Sequence, residues 1–452
     1  PHSQEADWYV VLQMQMHRDG SVHDGDPPVA YFAYPTLAAR ALAWIPEARL
    51  GADASGAGEV DADELLERSL AVASADFVRV RTCVALVSIL LVPLTWLLAR
   101  RFQGGGPALV AAACVAFSAL HLLFSQQARP HGLQATCALA SVLCALCMRA
   151  RPSFWTYLWG ALAAGAAFAF LHNGVAALLP LVAAHLLRDR RVAFPPGFTW
   201  WGAALLCVPS IGVYWAFYPS PPKVVGSGGE TQVLDVGGHT LPLTELDGSG
   251  FALVADYLWD YEPALLVASL VGLCAGAASA FLRRHPADPD ARARRADALI
   301  ACAYALPYLA ALGLMGLTQD RFLIPLLPFL ACLAAWPVAL ARGKPALAWA
   351  LAALVLAFPM LVAFKLTRLA AAPDTIELAA QWVGEHVDAE VERVVTSARL
   401  DLPLFLAPEA LRVAAEDYAT RQSVWIGWQL AHLPLEDQAP FAGATRWKLF
   451  ST

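Results

Sequence analysis

Charge is what this sequence has least of. Only 15% of its 452 residues are Asp, Glu, Lys or Arg, against about 25% in soluble globular chains. Hydrophobic residues make up 58%, and mean hydropathy is +0.52. This deficit excludes an ordinary soluble fold and indicates a polytopic membrane protein. Basic tracts are missing outside short loops and the net charge is −6, which argues against a nucleic-acid partner. There is no P-loop, no GxGxxG fingerprint, no GxSxG elbow and no HExxH, so the chemistries those motifs support have no foothold. Solenoid repeats and inverted-repeat hydropathy of the transporter kind are also lacking. All nine cysteines fall in or beside apolar runs. Cys144 and Cys147 alone have metal-type spacing, but they lie in an apolar helix with no second Cys/His pair nearby. They read as packing, and a disulfide framework is not expected.

What the chain has instead is apolar runs near bilayer length. We place them at 77–99, 107–124, 132–149, 155–171, 173–188, 198–217, 262–282, 298–317, 322–341 and 345–366, about ten spans in all. The polar pair His172-Asn173 forces a break between two short runs, which form a tight hairpin or two half-penetrating helices. Residue 1 is Pro and no secretory leader is visible. An acidic start ahead of so many spans leads us to expect a further spanning helix before it.

Basic residues set the orientation. Arg100-Arg101, Arg149 with Arg151, Arg188 to Arg191, Arg283 to Arg295, and Arg342 with Lys344 fall in alternate loops. By the positive-inside rule these loops face the cytoplasm. The remaining loops then face outward, as do the acidic first forty residues and the tail after Phe364. We divide the chain into an outer-face N-terminal region at 1–75, a transmembrane domain at 76–368 and a small α/β domain at 369–452. The outer loop 218–261 is rich in Gly and Pro and long enough to act as a lid or binding loop. In the tail, Asp374 and Glu377 mark a helix start. Residues 391–397 and 402–406 read as short strands.

Candidate chemistry collects in the outward segments. Gln4-Glu5-Ala6-Asp7 holds two carboxylates within three residues, suited to a general base or a divalent cation. As structure alone they are a solvated helix start. Ser125-Gln126-Gln127-Ala128-Arg129-Pro130-His131 joins two spans. Arg129 can pair with phosphate through its planar fork, or simply snorkel. Arg321 stands ahead of a span carrying Pro325 and Pro328, as a phosphate ligand or an interfacial anchor. Tyr34-Pro35-Thr36-Leu37 suits a helix starting at the membrane surface. His131 and His172 both sit at outer span ends, and His131 with Glu5 is a conceivable metal pair.

With those residues in view, the chain resembles the GT-C class of polytopic glycosyltransferases. The nearest branch is the protein-O-mannosyltransferase and aminoarabinose-transferase superfamily, which uses polyprenyl-phosphate sugars. Gln4-Glu5-Ala6 stands where that class has Asp-Glu-Ala, Tyr34-Pro35-Thr36-Leu37 where it has Tyr-Pro-Pro-Leu, and Ser125 to His131 where bacterial members have Ser-Gln-Glu-Ala-Arg-x-Tyr. The tail start at 373–383 is also similar. The resemblance implies an α-helical membrane fold and an active site on the outer face of a bacterial-type plasma membrane. It further implies transfer from a polyprenyl-phosphate sugar to a lipid, glycan or protein acceptor. Glu5 and Asp7 are the implied catalytic residues; Gln4, Tyr34, Gln127, Arg129, His131 and Arg321 are the implied substrate-binding set. A divalent cation is an open cofactor.

Two departures bear on this. The family's first acid is Gln4 here, and the acid of its second motif is Gln127. A neutral amide neither takes a proton as a base nor supplies a charged ligand. Either Glu5 and Asp7 take over, or the acceptor differs, or activity is lost. A transporter or lipid-handling permease is the alternative from another class. It is disfavoured because nearly all charges lie at span ends rather than at mid-membrane depth.

Overall fold

A computed structural model describes residues 62–127, 129–188, 202, 204–208, 210–212, 223–225, 233–236, 239–242, 246–282, 289–373, 375–389, 391–396, 402–416, 425–426, 429–430 and 447–451. The chain divides into two compact units. One contains Cys83–Leu366 and the other includes Ala38–Thr82 and Thr367–Thr452.

The fold is that of a polytopic helical membrane protein. Helices α1 (Ala62–Ser88), α2 (Leu91–Gln103), α3 (Gly105–Ala116), α4 (Ala119–Ser125), α5 (Pro130–Ala150), α6 (Phe154–Phe170) and α7 (Leu178–Leu187) come first. After them come α8 (Gly250–Tyr261), α9 (Pro263–Leu282), α10 (Pro289–Leu314), α11 (Leu327–Ala334), α12 (Trp336–Leu340) and α13 (Pro345–Ala370). At about 1.5 Å per residue, the 21 residues of α5 cover the hydrocarbon thickness of a bilayer.

Among the described residues, five helices are long and apolar enough to cross a membrane, or seven if each of two bent pairs counts as one span. Where they are described, the expected runs coincide largely with helix, but the runs at 155–171 and 173–188 are shorter apolar helices, and 198–217 is described only in part. The break at His172-Asn173 is a 3-10 helix over His172–Ala177, entered through extended Leu171. It folds back so tightly that a side chain on Gly174 would run into the Ala167 carbonyl.

Small residues set the spacing between helices. A Cβ on Gly160 of α6 would come 2.7 Å from Leu181 of α7 and 3.3 Å from Cys144 of α5. Apolar side chains gain little by leaving lipid, so close backbone approach is what favours association. Cys144 therefore packs, and all nine cysteines are free thiols.

The basic loop ends meet in space. Asp297, near the start of α10, accepts from Arg101 Nε of α2 at 2.9 Å and from Arg149 Nε of α5 at 2.5 Å. Its side chain is only 5% exposed. Three helix ends assigned to one side by their charges thus share one carboxylate.

The Gly-rich loop is more ordered than its composition suggests. It carries an antiparallel sheet, β1 (Lys223–Val225), β2 (Val233–Val236) and β3 (His239–Pro242), in that order. It ends in α8, whose Val254 and Leu258 lie buried one turn apart.

In the other unit, α14 (Thr375–His386), β4 (Val394–Thr396), α15 (Pro408–Glu416) and β5 (Leu449–Ser451) surround a core that includes Val383, Phe405, Leu411, Trp425 and Trp447. The helix and the strand expected at 391–397 are present, with Asp374 itself outside the described residues. Residues 402–406 form no strand. They make a single parallel bridge, Leu406 to Trp447. Strand β4 pairs instead with β5, in parallel.

Candidate functional site

Of the residues singled out from sequence, Gln4, Glu5, Asp7 and Tyr34 lie outside the described residues. Gln127, Arg129, His131 and Arg321 are described, and they come together at the end of the helical unit opposite Asp297.

Local sequence places each of them. Ser118 caps α4 by accepting from the His121 N–H at 3.1 Å. The short helix stops at Ser125, and Gln127 follows in a turn. Arg129 is extended, as a residue before proline should be, and Pro130 opens α5. On the far side, a 3-10 helix covers Asp320–Leu326. Pro325 lacks an N–H for a regular helix there, and Pro328 then sits in the first turn of α11. The Arg321 N–H donates to Asp320 Oδ1 at 2.7 Å.

Phe322 links the two segments. Its ring centroid is 5.1 Å from that of His131, and the Arg321 guanidinium carbon is 5.7 Å from it. Arg321 and Arg129 are the two charges that act on the His131 ring. His131 is 4% exposed, yet neither ring nitrogen has a hydrogen-bond partner. The buried Gln127 Oε1 is likewise without one. Two guanidinium groups around an imidazole favour an anion and repel a divalent cation, so this set does not fit a metal. Among the described residues no group of three His, Cys, Asp or Glu stands together.

A neutral network underlies these residues. Gln134, one turn after His131, donates to Asn173 Oδ1 at 2.9 Å. Asn173 Nδ2 donates to the Tyr308 hydroxyl at 3.0 Å, and that hydroxyl donates to the Phe322 carbonyl at 3.1 Å. Gln134 is fully buried with its Oε1 unpartnered. The network ties α5, the 3-10 helix after α6, α10 and the Arg321 segment to one another. The spacing from His131 to Gln134 was readable as one helical face. Nothing local in the sequence announces Tyr308 as the bridge.

A second buried polar contact lies nearby. Glu262, 3% exposed, stands at the 115° bend between α8 and α9. Its Oε1 accepts from Ser118 Oγ at 2.5 Å and from the Leu120 N–H at 3.1 Å. The turn into α8 is set by Asp247, which accepts from Ser249 Oγ at 2.6 Å and from its N–H at 2.8 Å. The Ser249 hydroxyl, and then its N–H, hold the Asp247 carboxyl below the usual carboxylate range. Sequence reasoning passed over Glu262. The available signal was a carboxylate at the very edge of an apolar run.

The family model for dolichyl-phosphate-mannose-protein mannosyltransferases matches residues 65–215, a segment that includes Gln127, Arg129 and His131. Comparison with curated protein sequences gives no match. Two solved structures of ArnT from Cupriavidus metallidurans resemble this chain in fold, at 15% sequence identity. The apo form has a TM-score of 0.44 and is covered over 69% of its length by 98% of this chain. The form bound to undecaprenyl phosphate has a TM-score of 0.45 and is covered over 70% by 98% of this chain. Likeness at that level supports no conclusion about function. The family match covers a third of the chain, and over residues 65–215 the chain is similar to the dolichyl-phosphate-mannose-protein mannosyltransferases.

Proposed function

We propose that the chain transfers a sugar from a polyprenyl-phosphate donor to an acceptor hydroxyl on the outer face of the membrane, with inversion at the anomeric carbon. The observation that supports this most is the meeting of Arg129 and Arg321 around His131 at one end of the helical unit. Phosphate is the substrate group that such a constellation suits.

In the reaction, the acceptor oxygen bonds to the anomeric carbon as the bond from that carbon to the phosphate oxygen breaks. The electron pair leaves with the polyprenyl phosphate. Arg129 and Arg321 stabilise the charge that grows on the phosphate, where fixed cations in a dry site act most strongly. Glu5 or Asp7 receives the acceptor's proton. Gln4, Tyr34, Gln127 and His131 hold donor and acceptor, with the unpartnered nitrogens of His131 and Oε1 of Gln127 as ready hydrogen-bonding positions. A single displacement inverts the anomeric centre. The scheme has no metal step, since a cation beside His131 would face two guanidinium groups.

The test uses the full-length protein in nanodiscs with polyprenyl-phosphate mannose and polyprenyl-phosphate aminoarabinose as donors. Glu5→Ala and Asp7→Ala are assayed singly. At least one should lower transfer by about 10²–10⁴-fold. Full activity in both removes the base assignment, and no transfer by the native protein from either donor removes these two sugars.

A further inference from the structure

The two bent helix pairs are not independent. One bends by 54° between α3 and α4, the other by 115° between α8 and α9. Glu262 occupies the second bend and its carboxylate grips the first. Bending α3 away from α4 leaves the opening N–H groups of α4 without carbonyl partners. Inside a lipid-embedded bundle no water is at hand to satisfy such groups, so a protein acceptor must. Ser118 Oγ takes the His121 N–H, and Glu262 Oε1 takes the Leu120 N–H together with the Ser118 hydroxyl proton. The positive end of α4 in turn favours a carboxylate there.

This clasp connects to both arginines of the proposed site. Helix α4 runs six residues on from its Ala119 start to Ser125 and leads directly into Gln127 and Arg129. It also packs against the 3-10 helix that carries Arg321. Helix α8 ends at Tyr261, one residue before Glu262, and the Tyr261 hydroxyl faces the carboxylate of Asp320, the neighbour of Arg321. One buried side chain therefore fixes where the Arg129 segment begins, and its chain neighbour Tyr261 faces the residue that precedes Arg321.

We propose that Glu262 is a positioning residue that sets the spacing between Arg129 and Arg321, and so the fit of the donor phosphate, by holding the two helix bends together through Ser118 and the α4 N-terminus. It touches no substrate. The inference rests on the reading of the arginines as phosphate ligands, but the clasp itself is testable without it.

Two measurements separate the two ideas, both on full-length protein in nanodiscs. The first is hydrogen exchange. Glu262→Gln should raise exchange of the amides over residues 119–126 by about tenfold, while amides in the Asp297 region stay unchanged. Unchanged exchange at 119–126 overturns the clasp, whatever the enzyme does. The second is kinetics with the donor that the native protein uses, or, where it uses neither, the binding of undecaprenyl phosphate. Glu262→Gln should raise donor KM, or weaken undecaprenyl phosphate binding, by about tenfold with kcat within about threefold. Ser118→Ala, which removes one donor to the carboxylate and spares the charge, should give a smaller change in the same direction. A carboxylate that only stabilised the fold would reduce the folded fraction and leave KM or affinity untouched, and that result overturns the positioning role. Should Glu262→Gln fail to fold, unaltered exchange and affinity in Ser118→Ala overturn it equally. Failure of native protein and variants alike to bind undecaprenyl phosphate, with exchange altered as expected, sinks the phosphate reading and leaves the clasp standing.

Discussion

The two ends of the helical unit handle charge in opposite ways. At the basic end a single carboxylate, Asp297, is saturated by two guanidinium donors from different helices. At the other end, the guanidinium groups of Arg129 and Arg321 act on a buried imidazole with no partner for either nitrogen, beside a glutamine oxygen that is also unpartnered. Isolated orphans occur at the basic end too, in Gln103 Oε1 and Trp336 Nε1. Trp96 Nε1 is a third, with the Arg100 guanidinium 4.9 Å from its ring, but each is a single neutral atom. The His131 end clusters three orphaned atoms of two side chains near two cations, and that combination is costly to a fold unless a ligand completes it. The difference teaches where to look for chemistry in a chain with so few charges: at the end where polar groups are left waiting.

The largest effect should fall at the saturated end and on stability. Asp297→Ala leaves Arg149, whose side chain is only 11% exposed, without its countercharge. Unfolding by denaturing detergent should show a loss of about 3–5 kcal/mol, with the kinetics of the surviving folded protein unchanged. A large change in donor KM would break the contrast. Next comes Arg321→Ala, which should lower transfer by about 10²–10³-fold while the unfolding midpoint stays close to native. Undiminished donor use would strike Arg321 from the site. Smaller again is His131→Phe. It keeps a ring beside Phe322 but removes both orphaned nitrogens. Stability should hold or rise, by up to about 1–3 kcal/mol, while donor affinity falls. Loss of both together would mean that His131 is an ordinary core residue. The smallest effect belongs to Arg101→Gln. The Arg101 side chain is 42% exposed, so solvent screens its ion pair and about 1 kcal/mol or less should be lost. A cost as large as that of Asp297→Ala would show that Arg101, not Arg149, is the partner that matters.

Much of this was legible in the chain itself. Alternating basic loops put Arg101, Arg149 and the 283–295 segment on one side, and their helix ends do meet at Asp297. The same alternation put the Arg129 and Arg321 segments together on the other side. Hydropathy carries that information because a helix of bilayer length can only shuttle between two faces. What escaped the sequence are contacts between partners far apart in the chain. Tyr308 bridges Asn173 and the Phe322 carbonyl across 135 and 14 residues, and Glu262 reaches Ser118 across 144. No periodicity encodes which of two facing helices supplies the partner. The tail shows the same limit. The 402–406 run alternates well enough for a strand, but its backbone finds one bridge, while β4 pairs with a three-residue segment too short to carry a pattern. The helix α8 inside the Gly-rich loop was hidden for another reason. Turn-forming residues end at Gly250, after which Phe251, Val254 and Leu258 resume helical spacing.

The carboxylate shared by Arg101 and Arg149 also has a consequence for how the protein is made. Asp297 lies 148 residues after Arg149 and 196 after Arg101. At about 5–20 residues per second of synthesis, the wait is roughly 7–30 s for Arg149 and longer for Arg101. Through that interval α2 and α5 stand in the bilayer without the carboxylate that pairs with both of them in the finished fold. The contact that joins the ends of α2 and α5 is therefore completed only once α10 arrives.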